Sequence, residues 1–201
     1  MLIGLGLGPG DKGLLTLRAV DLLRGADAVF VPGRRARDLV KDICEAEVLD
    51  FPMTNDEGVV QEALERNADR MAEVAANGTA VLGIIGDPAF YSTFSKQCAV
   101  LSRRHPWVSI RTEPGISSIT AFASRAGISI SGGFVVTDGP EPGPMVLLKV
   151  RRPRQKIEEL RGKGFRHFIL AENVFMEGER ICVDDGIPEA CDYFSILYAE
   201  R

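Results

Sequence analysis

The 201-residue chain has no internal repeat, no low-complexity tract and no apolar run of the ~18 residues that a helical membrane span needs. Solenoid, fibrous and helical-membrane architectures are therefore excluded. An excess of basic residues is missing too. With 24 Lys and Arg against 28 Asp and Glu, the net charge is −4, which removes the whole-chain electrostatic reason to expect nucleic acid. Cysteine is sparse and scattered: Cys44, Cys98, Cys182 and Cys191 form no C-x-x-C pair, and His105 and His167 are the only histidines. That pattern predicts reduced thiols in a cytoplasmic protein, with neither a disulfide framework nor a protein-bound metal. The apolar residues 1–9 lack a basic leader and run into a Gly-Pro turn, so they read as a strand rather than a signal peptide.

What is present is the ordinary mix of a globular protein, 45% hydrophobic and 26% charged, in a chain long enough to bury a sizeable core. Strand and helix patterns alternate through most of the length. Leu2-Ile3-Gly4-Leu5-Gly6-Leu7 predicts a buried strand whose alternate glycines admit another backbone. Thr16 is a suitable N-cap for a helix with Ala19, Leu22, Leu23 and Ala26 on one side. A short strand over Ala28–Val31 follows, then a basic helix over 34–46, a strand over 47–51 and a long helix over 56–77. Ala80–Ile85 is a continuous apolar strand of the kind found at the centre of a parallel sheet. Helices over 91–103 and 116–126 flank a strand over Trp107–Thr112. After Gly127 strands dominate: Phe134–Thr137, Met145–Val150, Phe168–Ala171 and Tyr193–Tyr198, with one helix over 154–163. The expected fold is α/β in two lobes: residues 1–113 with a mostly parallel sheet, residues 114–201 with a mixed sheet.

Three loops share one design, an apolar strand leaving through Gly, Pro and Asp or Ser into a helix: Gly8-Pro9-Gly10-Asp11, Gly86-Asp87-Pro88-Ala89-Phe90-Tyr91-Ser92-Thr93-Phe94, and Pro114-Gly115-Ile116-Ser117-Ser118. In open α/β sheets ligands bind beyond the carboxyl ends of strands, and glycine there lets main-chain groups reach them. Gly4-x-Gly6-x-Gly8 superficially resembles the dinucleotide fingerprint, but its spacing is wrong and Pro9 interrupts the turn. A G-x-x-x-x-G-K-[ST] phosphate loop is absent.

The three loops, with Leu14-Leu15-Thr16-Leu17-Arg18-Ala19 after the first, resemble the signatures of the tetrapyrrole (corrin and porphyrin) methylases. Four further segments are similar to the branch that methylates carbon-20 of precorrin-2 or cobalt-factor II: Phe51-Pro52-Met53-Thr54, Phe90-Tyr91-Ser92-Thr93-Phe94, Met176-Glu177-Gly178-Glu179-Arg180-Ile181 and Tyr193-Phe194-Ser195. The resemblance implies a two-lobed homodimer that holds S-adenosylmethionine in a cleft and takes a tetrapyrrole substrate, without nucleic acid or membrane partners. Carried over motif by motif, Pro9, Ile85, Gly86, Asp87, Phe90, Ser117 and Ser118 would contact the methyl donor, with Leu148-Lys149 and Glu172-Asn173-Val174 on the far wall. The competing reading of Asp87 is a cap or turn residue before Pro88. In one place the chain departs from the branch: only Ser131 through Pro144 stands where a longer insertion with an extra helix is usual. That departure bears on the substrate-facing wall and the methylated carbon.

Methyl transfer from a sulfonium is an in-line displacement, in which the protein's task is positioning and exclusion of water. Neither a triad nor a metal is required. Tyr91 is the candidate to assist loss of the proton, with a packed ring hydroxyl as the competing reading. The implied acceptor bears many carboxylates, and two basic clusters could receive them: Arg34, Arg35 and Arg37 after Pro32-Gly33, and Lys149, Arg151, Arg152, Arg154 and Lys156 after a strand. Either could instead be a solvated face. The alternatives to carbon-20 methylation are a sister enzyme acting at carbon-5 or carbon-11 and a non-catalytic tetrapyrrole carrier.

Overall fold

The computed structural model describes residues 1–131, 134–137, 145–174 and 176–201. Most of the shortened stretch from Ser131 to Pro144 therefore lies outside the described residues. Tertiary contacts divide the chain into two units, Met1–Ser117 and Ser118–Arg201.

The first unit alternates strand and helix: β1 (Leu2–Gly6), α1 (Leu17–Gly25), β2 (Ala28–Val31), α2 (Arg34–Val40), β3 (Glu47–Val48), α3 (Glu57–Ala75), β4 (Ala80–Ile84), α4 (Phe94–Arg104) and β5 (Ile110–Glu113). The strands pair in parallel in the order β3-β2-β4-β1-β5, with β4 in the centre. Local chemistry sets the helix starts. The Thr16 hydroxyl accepts the Ala19 N–H at 3.0 Å, and Asp56 accepts from Gly58 and Val59 at the head of α3. Leu64, Ala68, Met71 and Ala75 then fall on one buried face of α3.

Period-two alternation in β1 divides the core. Ile3, Leu5 and Leu7 pack with Ala19 and Leu23 of α1 and Leu39 of α2. On the other face Leu2 and Leu82 meet Leu64 and Met71 of α3 and Phe94 and Leu101 of α4. Each such Leu or Phe, fully buried, contributes about 1.5–3 kcal/mol. Helices α1 and α2 follow crossovers running one way along the sheet, and α3 and α4 follow those running the other way. The adjacent strands β1 and β4 therefore form the topological switch point, where open α/β sheets bind ligands.

Several boundaries differ from the sequence expectation: the strand expected over 47–51 ends at Val48 and that over 193–198 runs Ser195–Glu200, and three others have a visible local cause. Helix α2 stops at Val40, whose carbonyl accepts both Ile43 and Cys44 N–H groups in a closing turn. Helix α4 starts at Phe94 because Tyr91 is left-handed (φ 48°) and the Ser92 hydroxyl accepts the Phe94 N–H at 3.2 Å. Strand β5 starts at Ile110 because Val108 N–H first closes a turn onto the His105 carbonyl.

The second unit comprises α5 (Ser118–Arg125), β6 (Val135–Thr137), β7 (Met145–Leu148), α6 (Pro153–Arg161), β8 (His167–Glu172), β9 (Arg180–Val183) and β10 (Ser195–Glu200). Its sheet runs β6-β7-β10-β8-β9, with β6 and β7 parallel and the other pairs antiparallel. The expected α/β class, with one parallel and one mixed sheet, is what the structure has. Met145, Leu147, Phe168, Leu170 and Leu197 pack with Ile157 and Leu160 of α6, which begins on Pro153 at its first turn. Among the described residues no helix is long and apolar enough to cross a membrane.

Candidate functional site

The three glycine bends meet at the carboxyl ends of β1, β4 and β5. Gly8 and Gly86 form an isolated antiparallel bridge. Gly86 N–H donates to the Gly8 carbonyl at 2.7 Å, and Gly8 N–H to the Gly86 carbonyl at 3.3 Å. Both glycines are left-handed, with φ of 70° and 86°, a conformation that a side chain would strain. The third bend approaches still more closely. A Cβ on Gly6 would overlap the Gly115 nitrogen, and one on Gly115 would sit 2.5 Å from the Gly86 carbonyl oxygen. Backbone thus packs on backbone across all three bends. The other even-numbered glycine of β1, Gly4, is covered by the Phe94 ring rather than by main chain.

Asp87 ties the second bend to the third. Its Oδ1 accepts the Ala89 N–H at 2.8 Å, closing its own turn, and its Oδ2 accepts the Gly115 N–H at 3.0 Å. The turn role is therefore present, and the same carboxylate also spans two of the bends. A second brace joins the first and third bends: Arg18 on α1 donates through Nε to Glu113 Oε2 at 3.3 Å. The pairing of Arg18 with Glu113 carries no sequence signal beyond opposite charge 95 residues apart.

Around this junction the singled-out residues are unequal. Pro9 and Gly86 are buried, Ile85, Asp87 and Ser117 are half-buried, and Phe90 and Tyr91 are exposed at 56% and 43%. Ser118 opens α5. Arg34 and Arg35 begin α2 on the same carboxyl edge of the sheet, after β2, and both are exposed. A depression of ≈ 620 Å³ lined by Asp27, Arg37, Lys41, Cys44 and Glu47 lies at the opposite, amino-terminal end of β2 and β3. It is open and of mixed charge. The convergence of the bends, rather than this depression, marks the site, because it is where the sheet topology and the main-chain geometry coincide.

The sequence profile of the Tetrapyrrole (Corrin/Porphyrin) Methylases matches residues 1–184. The chain belongs to this family. Among relatives of the methylase, a probable cobalt-precorrin-2 C(20)-methyltransferase of Methanocaldococcus jannaschii is 28% identical, with 98% of this chain and 95% of the relative covered. A cobalt-precorrin-7 C(5)-methyltransferase of Salmonella typhimurium is 26% identical, covering 90% and 89%. The crystal structure of uroporphyrin-III C-methyl transferase from Thermus thermophilus complexed with S-adenyl homocysteine superposes with a TM-score of 0.72 at 21% identity, over 100% of this chain and 97% of that one. At that identity the likeness is one of fold.

Within the methylase's second unit, the remaining singled-out residues gather where β7 and β8 end and β10 begins. Leu148 closes β7; Lys149 follows with φ 61°, its N–H donating to the Ser195 carbonyl at 2.7 Å. Asn173 follows β8 with φ 48° and donates its N–H to the Phe194 carbonyl at 2.7 Å, with Val174 buried beside it. Left-handed non-glycine residues cost of order 1–3 kcal/mol each and persist where neighbours over-determine them. Tyr91, Lys149 and Asn173 are three such residues, and each falls in a segment the sequence had singled out.

The five-residue basic cluster separates by role. Arg154 donates to the Ile187 and Asp185 carbonyls at 2.7 and 2.9 Å, and Lys156 pairs with Glu159 at 2.6 Å, so both are structural ties. Lys149, Arg151 and Arg152 remain exposed. The buried carboxylate of Glu172, in the stretch that the resemblance assigns to the far wall, accepts from Arg180 Nε at 2.6 Å and from the Asp192 N–H at 2.9 Å. The hydrogen bond from Arg180 first, and the negative charge of Glu172 second, push the Arg180 guanidinium pKa up. Among the described residues no group of His, Cys, Asp and Glu is arranged to hold a metal.

Proposed function

We propose that this methylase transfers a methyl group from S-adenosylmethionine to carbon-20 of precorrin-2 or its cobalt-bearing form. The observation that carries the reading is the backbone-on-backbone junction of Gly6, Gly8, Gly86 and Gly115 at the β1/β4 switch point, in a chain matched by the family over residues 1–184. Those bends suit an adenosyl sulfonium ligand. Left-handed Gly8 and Gly86 expose main-chain groups without a Cβ in the way, and Phe90 offers an exposed ring beside them for a purine. Pro9, Ile85, Gly86, Asp87, Phe90 and Ser117 of the first unit would hold the donor, and the family resemblance assigns Ser118, Leu148, Asn173 and Val174 to it as well. Bound there, S-adenosylmethionine supplies an electrophilic methyl group. The chain's own part is to orient it and keep water away.

The acceptor's carboxylates would be received by the exposed Arg34 and Arg35 and by Lys149, Arg151 and Arg152. Tyr91, exposed and left-handed beside the second bend, is the group to take up or relay the proton lost from the methylated carbon. Support for carbon-20 is the relative at 28% identity that matches nearly end to end. The C(5)-methyltransferase at 26% identity over 90% of the chain favours a second reading, methylation of the same class of macrocycle at carbon-5. Incubation with methyl-labelled donor and precorrin-2, with and without cobalt, tests both: NMR of the product assigns the carbon. No incorporation into any corrinoid precursor, together with no affinity for S-adenosylhomocysteine, would overturn the reading.

A further inference from the structure

The mouth of the second sheet holds a cation–aromatic cluster that the packing of that unit does not explain. The Lys149 Nζ lies 5.4 Å and the Arg151 Cζ 5.2 Å from the centroid of the Tyr193 ring. Phe194 meets that ring edge-on at 5.3 Å and 85°. An aromatic face is electron-rich, so one ring can hold two cations that would otherwise repel one another.

Main-chain hydrogen bonds hold the segment that carries the ring. Glu172, buried, accepts the Asp192 N–H at 2.9 Å, Asp192 Oδ1 accepts the Tyr193 N–H at 2.6 Å, and the Phe194 and Ser195 carbonyls are taken by the N–H groups of Asn173 and Lys149. The Arg151 guanidinium makes no ion pair or hydrogen bond with a described residue, whereas that of neighbouring Arg154 is consumed by two carbonyls. The five planar N–H donors of Arg151 thus lie over a ring, beside the Lys149 ammonium group, and are engaged by no described residue.

We propose that Tyr193 is a positioning residue for the acceptor: its ring presents Lys149 and Arg151 together as a receptor for a carboxylate-bearing edge of a polycarboxylate macrocycle. The proposal rests on the tetrapyrrole reading above, and adds a residue which that reading does not use. The role belongs to the ring face and not to the phenol hydroxyl, so phenylalanine should serve and an aliphatic side chain should not.

The test is fluorescence titration of the full chain with uroporphyrin, an octacarboxylate, beside calorimetric titration with S-adenosylhomocysteine. Tyr193→Leu should raise the uroporphyrin dissociation constant about fivefold or more. Tyr193→Phe should stay within about twofold of the parent, and S-adenosylhomocysteine affinity should not move in either. Arg151→Met, which keeps the length and removes the charge, should weaken uroporphyrin binding and combine less than additively with Tyr193→Leu. A Phe variant as weak as Leu, or an unchanged constant in Tyr193→Leu, overturns the proposal. If Tyr193→Leu does not fold, unchanged binding in Arg151→Met overturns it instead. Failure of the parent chain to bind S-adenosylhomocysteine while it still binds uroporphyrin would instead sink the methyl-transfer reading and leave this one standing.

Discussion

The Asp87 carboxylate and the Gly115 amide are 28 residues apart in sequence and 3.0 Å apart in space. One oxygen of Asp87 closes its own turn on Ala89, and the other reaches across to the third bend. The acid therefore shapes the junction by holding two loops in register. A carboxylate has further lone pairs, so the two duties are compatible.

Replacing Asp87 by Ala removes two charge-assisted hydrogen bonds at a half-buried position. Stability should fall by about 1.5–3 kcal/mol, with the chain still folded. S-adenosylhomocysteine affinity should drop about tenfold or more, because the Gly115 bend is released. Calorimetry beside urea denaturation measures both. Parent-like affinity would remove Asp87 from the donor site.

Gly6→Ala and Gly115→Ala should be worse than their size suggests. Each new Cβ meets main chain rather than a side chain able to rotate away. An overpacking cost of about 2 kcal/mol or more is expected, with loss of donor binding in molecules that retain a native circular dichroism spectrum. Undiminished donor affinity in either variant would contradict the close approach of the bends.

Arg151 and Arg152 changed together to Ala should raise the dissociation constant for the tetrapyrrole without altering that for S-adenosylhomocysteine. Paired titrations check this. If neither constant moves, the segment is a solvated face and nothing more.

Acid stability should carry the mark of Asp69. Its carboxylate accepts from Arg104 at 2.7 and 3.0 Å and lies 2.7 Å from His105 Nε2, and these partners, Arg104 foremost, hold its pKa below the usual carboxylate value. The folded state thus binds that proton less readily than the unfolded chain, where the pKa is about 3.9. The contribution is present above pH ~4 and lost as pH falls through the lowered folded value. Urea midpoints of the parent and Asp69→Asn should therefore differ at pH 7 and converge towards pH 3.

Alkaline behaviour should reflect Cys98, whose thiol burial pushes to about 11. Its stabilising preference for the neutral thiol is intact below the unfolded value of about 8.5 and lost as pH rises through 11. Cys98→Ala should flatten the decline in stability over that window. In the native parent at pH 8, Cys98 should be slow to react with a thiol reagent, which peptide mass spectrometry resolves.

Much of the first unit was legible because its signals are local. The Thr16 cap, the limits of Ala28–Val31, the helical face of α3 and the central position of β4 all follow from spacing and residue type within one element. The alternate glycines of β1 announced close approach, but spacing could not say that Gly4 receives a ring and Gly6 a backbone. Strand β9 escaped notice because its residues are mostly exposed and carry no apolar alternation. The left-handed Tyr91 and Lys149 could not be read at all. Nothing in a tyrosine or a lysine favours that conformation, which the surrounding contacts impose. Likewise, Asp87-Pro88 reads as a turn at any address, and its distant partner becomes visible only once β1 lies between β4 and β5.

The glycine junction has one further consequence. Because Gly6 and Gly115 meet their neighbours through main chain, no side chain can be fitted at either position to reshape that contact. A different macrocycle would be accommodated more cheaply at positions whose side chains face open space.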